Sequence, residues 1–215
     1  MIKIKKFAFN AFQVNTVLLY DETKECIIID AACYEDNERK ELVEFIKNHE
    51  LKLVKQVNTH CHVDHILGCN FVNEYFNAGL EIHKEGLKFL KNAVQHGMSF
   101  GFSLEEPITP SNFLSDGDII KFGNSSLEVL YTPGHADGSI CLFCEDQDFV
   151  IVGDVLFNGS IGRTDLPTGD FEILKQSIHE KLFVLDEDVV VIPGHGPDTS
   201  IGFERKNNPF VGLGN

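Results

Sequence analysis

The stretch NTHCHVDH, residues 58–65, places three histidines and one aspartate within eight positions. On an α-helix, at about 3.6 residues per turn, His60 and His62 would point to nearly opposite sides, so no single helical face gathers the three histidines. If a strand instead ends just before the cluster and an extended loop follows, His60 and His62 project the same way. A turn into a helix would then bring Asp64 and His65 round to the same region. The spacing therefore predicts a strand end that turns into a helix.

The side chains of this stretch are of the kinds that bind transition metals. Imidazole nitrogens and a carboxylate suit zinc, and they also suit iron or manganese, whereas calcium prefers oxygen ligands alone. The alternative is a histidine-rich surface turn. Four ligand-type groups in the six residues from His60 to His65 favour the metal site.

Three later stretches end an apolar strand in a similar way. LEVLYTPGH (127–135) and VVVIPGH (189–195) each lead through Pro-Gly to a histidine, and DFVIVGD (148–154) ends in Gly-Asp. Singly, each of these residues also fits an ordinary turn or cap. Together with the first stretch they supply enough ligands for two metal ions. The predicted ligands are His60, His62, Asp64, His65, His135, Asp154 and His195.

Length and charge limit the classes of protein to be considered. The chain of 215 residues carries a formal charge of −15, which disfavours binding to nucleic acid or to an anionic membrane surface. The N-terminus, MIKIKKFAFN, does not resemble a secretory signal, and no apolar run approaches the roughly 20 residues of a membrane span. We expect a single domain over residues 1–215, located in the cytoplasm.

The six cysteines include one CxxC pair, Cys141 and Cys144. The pair lies in a strand-like run, where positions three apart point to opposite faces, and no second CxxC completes a structural zinc site. Reduced core cysteines are favoured over a metal or disulfide role.

Strand-like and helical segments alternate along the chain in two successive halves. This order favours two sheets packed face to face with helices outside. Residues 97–117 contain three glycines, two prolines and three phenylalanines without a sustained period, which indicates a long loop. The alternatives for this loop are a substrate lid and an irregular surface connection. The predicted strands or hairpins are 3–9, 15–21, 25–31, 51–59, 119–133, 139–154 and 188–196; the predicted helices are 36–50, 66–76 and 171–183, and 81–94 is a short strand followed by a helix.

THCHVDH resembles the HxHxDH motif of the metallo-β-lactamase fold superfamily, and the later PGH, GD and PGH match its other motifs in order. The resemblance implies an α/β fold, an αββα sandwich of two mixed sheets with helices on both outer faces and the metals at one edge. It also implies that two divalent metal ions, zinc first and iron or manganese as alternatives, are bound. One metal would be held by His60, His62 and His135, the other by Asp64, His65 and His195, with Asp154 as the bridge.

Within the superfamily, residues 153–170 and 193–210 are similar to the glyoxalase II-like hydrolases. The similarity implies hydrolysis of a small-molecule thioester such as hydroxyacyl-glutathione, by a hydroxide that bridges two metals. Asp64 and Asp154 would then be the catalytic carboxylates, with Asp64 as ligand and orienter rather than as a separate base. The β-lactamases proper depart from the Asp64 and His65 pair, which disfavours antibiotic hydrolysis.

Two features bear on the substrate. Arg163 could bind a substrate carboxylate, or it could form a structural salt bridge with Asp165 or Asp170. The full-length glyoxalase II enzymes carry a C-terminal helical domain that helps to bind glutathione, whereas this chain ends 20 residues after His195. Glutathione recognition and the oligomeric state therefore stay open.

A rival function comes from the same superfamily. NTHCHVDH and GRTD also resemble the persulfide dioxygenases, in which one iron is bound by two histidines and an aspartate, here His60, His135 and Asp154. This arrangement suits oxygen chemistry. The hydrolase is preferred because DLPTGD and NNPF fit it better and because the second set of ligands is complete. A non-catalytic metal-binding protein ranks third.

Overall fold

The computed structural model describes residues 1–214. Two six-stranded sheets contain most of the strands. The first sheet has the order β1-β2-β3-β4-β5-β6, comprising β1 (Lys3–Phe9), β2 (Val14–Tyr20), β3 (Glu25–Ile29), β4 (Lys52–Val57), β5 (Leu80–His83) and β6 (Asn112–Leu114). The remaining strands in chain order are β7 (Ile119–Phe122), β8 (Ser125–Tyr131), β9 (Ile140–Cys144), β10 (Phe149–Gly153), β11 (Leu156–Phe157), β12 (Ser160–Ile161), β13 (Val190–Pro193) and β14 (Thr199–Ser200).

Both large sheets are mixed. In the first sheet β1, β2 and β3 pair antiparallel, and β3 to β6 pair parallel. The second sheet has the order β14-β13-β10-β9-β8-β7, with β10 and β13 as its parallel pair. Strands β11 and β12 form a separate short ribbon.

Within residues 1–214, six α-helices flank the sheets, and the sequence accounts for the start of the first. Its start is fixed by a capping box, in which the Glu38 carboxylate accepts the Glu35 backbone N–H at 3.0 Å. The α-helices are α1 (Asp36–Asn48), α2 (Val63–Ile66), α3 (Cys69–Phe76), α4 (Leu87–Ser99), α5 (Phe171–Ser177) and α6 (Ile201–Asn207). Short 3₁₀ turns lie at Lys84–Gly86 and Glu145–Gln147, and a π-helical turn at Ile178–Leu182 follows α5.

The core consists of three apolar layers that follow from the alternation of strand side chains. In β2, Val17 and Leu19 face the space between the sheets, whereas Leu18 faces the helices outside the first sheet. In β10, Ile151 faces inward and Val150 faces the helices outside the second sheet. The αββα sandwich expected from the resemblance is therefore confirmed.

The CxxC pair has the predicted geometry. Cys141 packs in the outer layer of the second sheet, whereas Cys144 packs between the sheets. Both are free thiols and buried, like the other four cysteines, and burial raises the pKa of Cys141 to about 12. Within residues 1–214, no helix combines the length and the apolar character that crossing a bilayer requires.

Several predicted boundaries were wrong. The predicted helix over 66–76 is interrupted at Leu67 and Gly68, because the Gly68 N–H donates to the Ala31 carbonyl at 2.8 Å rather than to a carbonyl of the helix. A Cβ at Gly68 would collide with that carbonyl and with Cys33, so this close approach requires glycine. The predicted loop over 97–117 contributes its first three residues to α4 and Asn112–Leu114 to β6, so that 100–111 and 115–117 are irregular. The predicted helix over 171–183 is helical to Leu182, but it changes from α to π geometry after Ser177. The short strands β11, β12 and β14 and the helix α6 were not predicted.

Candidate metal centre

The stretch 58–65 has the local structure predicted from its spacing. Strand β4 ends at Val57, His62 is extended with φ −63° and ψ 150°, and α2 begins at Val63. Hydrogen bonds from two asparagine side chains stabilise this turn. Asn58 Nδ2 donates to the backbone carbonyl of His65 at 2.8 Å, and Asn10 Nδ2 donates to that of Asp64 at 2.9 Å.

Three of the predicted ligands form what we call the first group: His60, His62 and His135. Each offers one nitrogen within 4.8 Å of the nitrogens offered by the others. His62 Nδ1 and His135 Nε2 are 2.9 Å apart. His60 and His135 are almost fully buried, so these nitrogens have little access to bulk water.

The second group consists of Asp64, His65 and His195, whose ligand-type atoms also lie within 4.8 Å of one another. His195 Nε2 lies 3.3 Å from His65 Nε2 and 3.4 Å from Asp64 Oδ2. His65 is completely buried, whereas the His195 side chain is 26% exposed. The second group is therefore the one closer to solvent.

Asp154 lies between the two groups. Its Oδ1 is 3.4 Å from His65 Nε2, and its Oδ2 is 3.7 Å from His135 Nε2 and 3.6 Å from His195 Nε2. One carboxylate thus faces histidines of both groups. All seven side chains predicted as ligands converge here, although they come from four strand ends in two different sheets.

Backbone carbonyls orient two of the histidines. His135 Nδ1 donates to the Arg163 carbonyl at 2.8 Å, and His195 Nδ1 donates to the Phe12 carbonyl at 2.9 Å. A carbonyl only accepts hydrogen bonds, so the proton of each neutral ring is on Nδ1. This leaves the Nε2 lone pair of each ring directed into the site, as a metal ligand requires.

Asp30 orients the other buried histidines, and the sequence analysis did not identify it. Its buried carboxylate accepts hydrogen bonds from His65 Nδ1 at 2.9 Å, from the Thr59 backbone N–H at 2.7 Å and from the Thr59 hydroxyl at 2.7 Å. The Thr59 hydroxyl in turn lies 3.2 Å from His60 Nδ1. Asp30 ends the apolar strand ECIII, which is the same strand-end signal that identified Asp154.

Two buried atoms of the site indicate that a cation fits it. Among the described residues, His60 Nε2 and Asp154 Oδ1 have no hydrogen-bond partner although both are shielded from solvent. Buried polar atoms in native proteins are almost always satisfied, and a group left unpaired calls for an explanation such as an ion. Lone pairs of imidazole and carboxylate that converge without donors match the donor set of a transition-metal site.

Burial dominates the electrostatics of the first group. Burial holds the pKa of His60 well below its ordinary value, and the neighbouring imidazoles act in the same direction. Burial likewise lowers the pKa of His62 to about 3, assisted by His135. These rings are therefore neutral at physiological pH, which is the form that binds metal.

Carboxylates dominate the second group. Burial opposes the charged form of His65, but Asp154, Asp64 and Asp30 outweigh it and raise the pKa of His65 well above its ordinary value. The pKa of His195 is also raised, since Asp64 and Asp154 outweigh burial there. The carboxylates of the site therefore favour a positive charge at the second group, whether it is carried by a protonated histidine or by a metal ion.

Two glycines allow the strand ends to approach the site. A Cβ at Gly153, where φ is +49°, would collide with the Thr59 side chain. A Cβ at Gly194 would collide with the Asp154 carboxylate and with His65. The glycines in the GD and second PGH motifs are therefore required by close approach.

A cavity of about 740 Å³ opens above the two groups. Its walls include Asp64, Asp154, His62, His135 and His195, together with many apolar side chains. His96 also lines it, as does Phe100 from the segment 97–117.

Arg163 lines the same cavity, but its guanidinium is engaged elsewhere. Its Nε and Nη2 donate to the two carboxylate oxygens of Asp165 at 2.9 Å and 2.8 Å, and the side chains are 66% and 69% exposed. The predicted salt bridge with Asp165 is present, and binding of a substrate carboxylate by Arg163 stays a prediction. Asp170, the other predicted partner, instead caps α5.

Comparison with known proteins identifies the family. The model of the metallo-beta-lactamase superfamily matches residues 9–195. This chain belongs to that superfamily. Among curated relatives, the hydroxyacylglutathione hydrolase GloC of Haemophilus influenzae is 34% identical over 98% of both chains. The probable metallo-hydrolase YqgX of Bacillus subtilis is 36% identical over 98% of both chains.

Solved structures of the same fold are also similar. The BLEG-1 B3 metallo-β-lactamase matches with a TM-score of 0.87 and 31% identity, covering 97% of this chain and 99% of that one. TTHA1623 in a di-iron-bound form matches with a TM-score of 0.85 and 29% identity, covering 96% and 99%. ETHE1 from Myxococcus xanthus matches with a TM-score of 0.78 and 26% identity, covering 97% and 84%. The chain is thus a metallo-hydrolase superfamily member whose site residues imply divalent metals.

Proposed function

We propose that this protein is a dinuclear metal-dependent hydrolase of the glyoxalase II-like type, acting on a small-molecule thioester. The observation that carries the proposal is the pair of ligand groups joined by Asp154. Full-length similarity to GloC supports a thioester, and it makes a glutathione-derived substrate the first to test.

The first group would hold one metal ion, the second group would hold the other, and Asp154 would contact both. Zinc suits the mixed nitrogen and oxygen ligands, and iron and manganese suit them as well. When bound, the two metals lower the pKa of a water molecule to near neutrality and polarise the carbonyl of the substrate.

In the reaction, the oxygen of water forms a bond to the thioester carbon, the C–S bond breaks, and the products are a carboxylic acid and a thiol. A thiolate is a good leaving group, so no strong general acid is required of the protein. The neutral Nε2 atoms of His60 and His135 stay free of protons because their Nδ1 atoms are held by Thr59 and by the Arg163 carbonyl. Asp64 acts as ligand and orienter.

We further propose that residues 1–215 form one domain, since both sheets contribute side chains to one site. The six buried thiols fit a reducing compartment, and we propose that the protein acts in the cytoplasm.

One observation favours a second candidate. TTHA1623, 29% identical over nearly its whole length, has a structure in a di-iron-bound form, so iron is a realistic metal for this ligand arrangement. With a single iron on His60, His135 and Asp154, the arrangement of two histidines and one carboxylate would suit a persulfide dioxygenase.

Metal analysis combined with two assays distinguishes the candidates. The protein is purified without added metal, and its metal content, its hydrolysis of lactoyl-glutathione and of neutral thioesters, and its oxygen uptake with glutathione persulfide are measured. Two metal ions per chain with thioester cleavage would support the hydrolase. One iron with oxygen uptake and no thioester cleavage would replace it by the dioxygenase.

A further inference from the structure

The cavity above the metal centre has an aromatic lining that begins at the ligands themselves. Phe89 meets His62 edge-on with ring centroids 5.1 Å apart, and Phe157 approaches His195 at 6.4 Å. A substrate whose carbonyl lies between the two ligand groups would therefore have aromatic side chains next to its acyl or thiol portion.

Two further phenylalanines form the mouth of the cavity. Phe12 and Phe100 are in edge-to-face contact with centroids 5.8 Å apart, and they are 42% and 59% exposed. The ring of Phe102, which is buried, packs against Phe12 with the centroids 5.7 Å apart. Exposed aromatic side chains that cluster at the mouth of a cavity are typical of a binding surface for an apolar group. We call Phe12, Phe89, Phe100 and Phe157 the aromatic wall.

The side chains that line the cavity offer little positive charge to an anionic carrier. Among the lining residues that the structure describes, Arg163 is the one lysine or arginine, and two of its three guanidinium nitrogens, Nε and Nη2, donate to Asp165. The chain as a whole carries a charge of −15. Glutathione presents two carboxylates, whereas the lining offers them one lysine or arginine side chain, which already shares its charge with Asp165.

From these observations we infer that the cavity selects thioesters with an apolar acyl group and does not depend on a glutathione carrier. This inference rests on the proposed thioester hydrolase function. The aromatic wall would bury the acyl chain, while the carbonyl lies between the ligand groups.

The first test compares substrates on the metal-loaded enzyme. The probes are acetyl and hexanoyl thioesters of N-acetylcysteamine, which is uncharged, and lactoyl-glutathione. A fully buried methylene contributes about fourfold, so four added methylenes in a solvent-open cavity should raise kcat/KM at least about tenfold. Hexanoyl should also exceed lactoyl-glutathione. Hydrolysis with no rise from acetyl to hexanoyl, or with lactoyl-glutathione preferred, would overturn the inference and leave the thioester hydrolase intact.

The second test uses variants. Phe100→Ala should lower the ratio of hexanoyl to acetyl kcat/KM about threefold, because the chain loses part of the aromatic wall. Phe113→Ala is the matched control, since Phe113 is also exposed, at 43%, but lies on β6 outside the cavity. Equal ratios in the two variants would contradict a role for the aromatic wall. Absence of hydrolysis with every thioester would overturn the proposed function together with the inference.

Discussion

Replacing Asp30 by asparagine tests whether the orientation of the histidines controls metal binding. In the native protein the Asp30 carboxylate accepts three hydrogen bonds, from His65 Nδ1 and from the backbone and hydroxyl of Thr59. An amide keeps the size of the side chain but presents N–H donors in place of one oxygen. Facing such a donor, His65 Nδ1 would accept a hydrogen bond, and the proton of the ring would lie on Nε2. Nε2 is the atom that faces the other residues of the second group.

The expected magnitude follows from these contacts. Loss of a carboxylate that orients a metal-binding histidine typically lowers metal affinity about 10- to 100-fold. Since Asp30 also contributes to the raised pKa of His65, the variant should lower that pKa. Two charge-assisted hydrogen bonds become unfavourable, so the free energy of unfolding of the metal-free protein should fall by about 2 kcal/mol.

The assay is competition between the protein and a coloured chelator, with thermal unfolding measured in parallel. Asp21→Asn is the control, because Asp21 is also buried and accepts hydrogen bonds from Thr23, Asn124 and Ser125, but is remote from the metal centre. If Asp30→Asn binds two metals with native affinity, or if Asp21→Asn weakens metal binding equally, the reasoning about orientation is refuted.

Three further predictions concern the two ligand groups. His60→Ala should abolish activity, and His195→Ala should reduce thioester hydrolysis by orders of magnitude while leaving one metal per chain; a mild effect of both on turnover would contradict metal catalysis. When the pH is lowered from about 8 to about 4, metal should leave the second group first, because its histidines have raised pKa values and become protonated at higher pH than those of the first group. Metal analysis after dialysis at each pH should reveal two release steps, and the step at higher pH should be missing in His195→Ala. If the step at lower pH is missing instead, the assignment is refuted. Gly194→Ala should weaken metal binding, since its Cβ would displace Asp154; chelator competition showing native affinity would count against the close approach.

Much of the fold was predictable because strands and amphipathic helices leave strong periodic signals. The segments KIKKFAF and DNERKELVEFIKN were located to within two residues of the observed β1 and α1. The boundaries that were wrong depend on contacts from outside the segment. The break at Gly68, for example, arises from the close approach of Ala31, which local periodicity does not encode.

The ligand-type residues were predictable, whereas their orienting partners were not. Histidines and aspartates at strand ends are conspicuous in the sequence, and the sandwich brings all of them to one edge. The partners of His135 and His195 are backbone carbonyls, which any residue could supply. Arg163 shows the same difficulty, since its pairing with Asp165 rather than with Asp170 depends on side-chain geometry.

The distribution of the site over both sheets has a consequence for folding. His60 and His62 follow β4 in the first sheet, whereas His135, Asp154 and His195 follow strands of the second. No local segment can assemble either ligand group, so high-affinity metal binding requires the two sheets to have docked. A cation bound there would act as a cross-link between the halves of the chain, and at a free concentration 100 times its Kd it would stabilise the docked state by about 2.7 kcal/mol. The concentration of free metal in the cell would then affect the lifetime of the folded protein as well as its turnover rate.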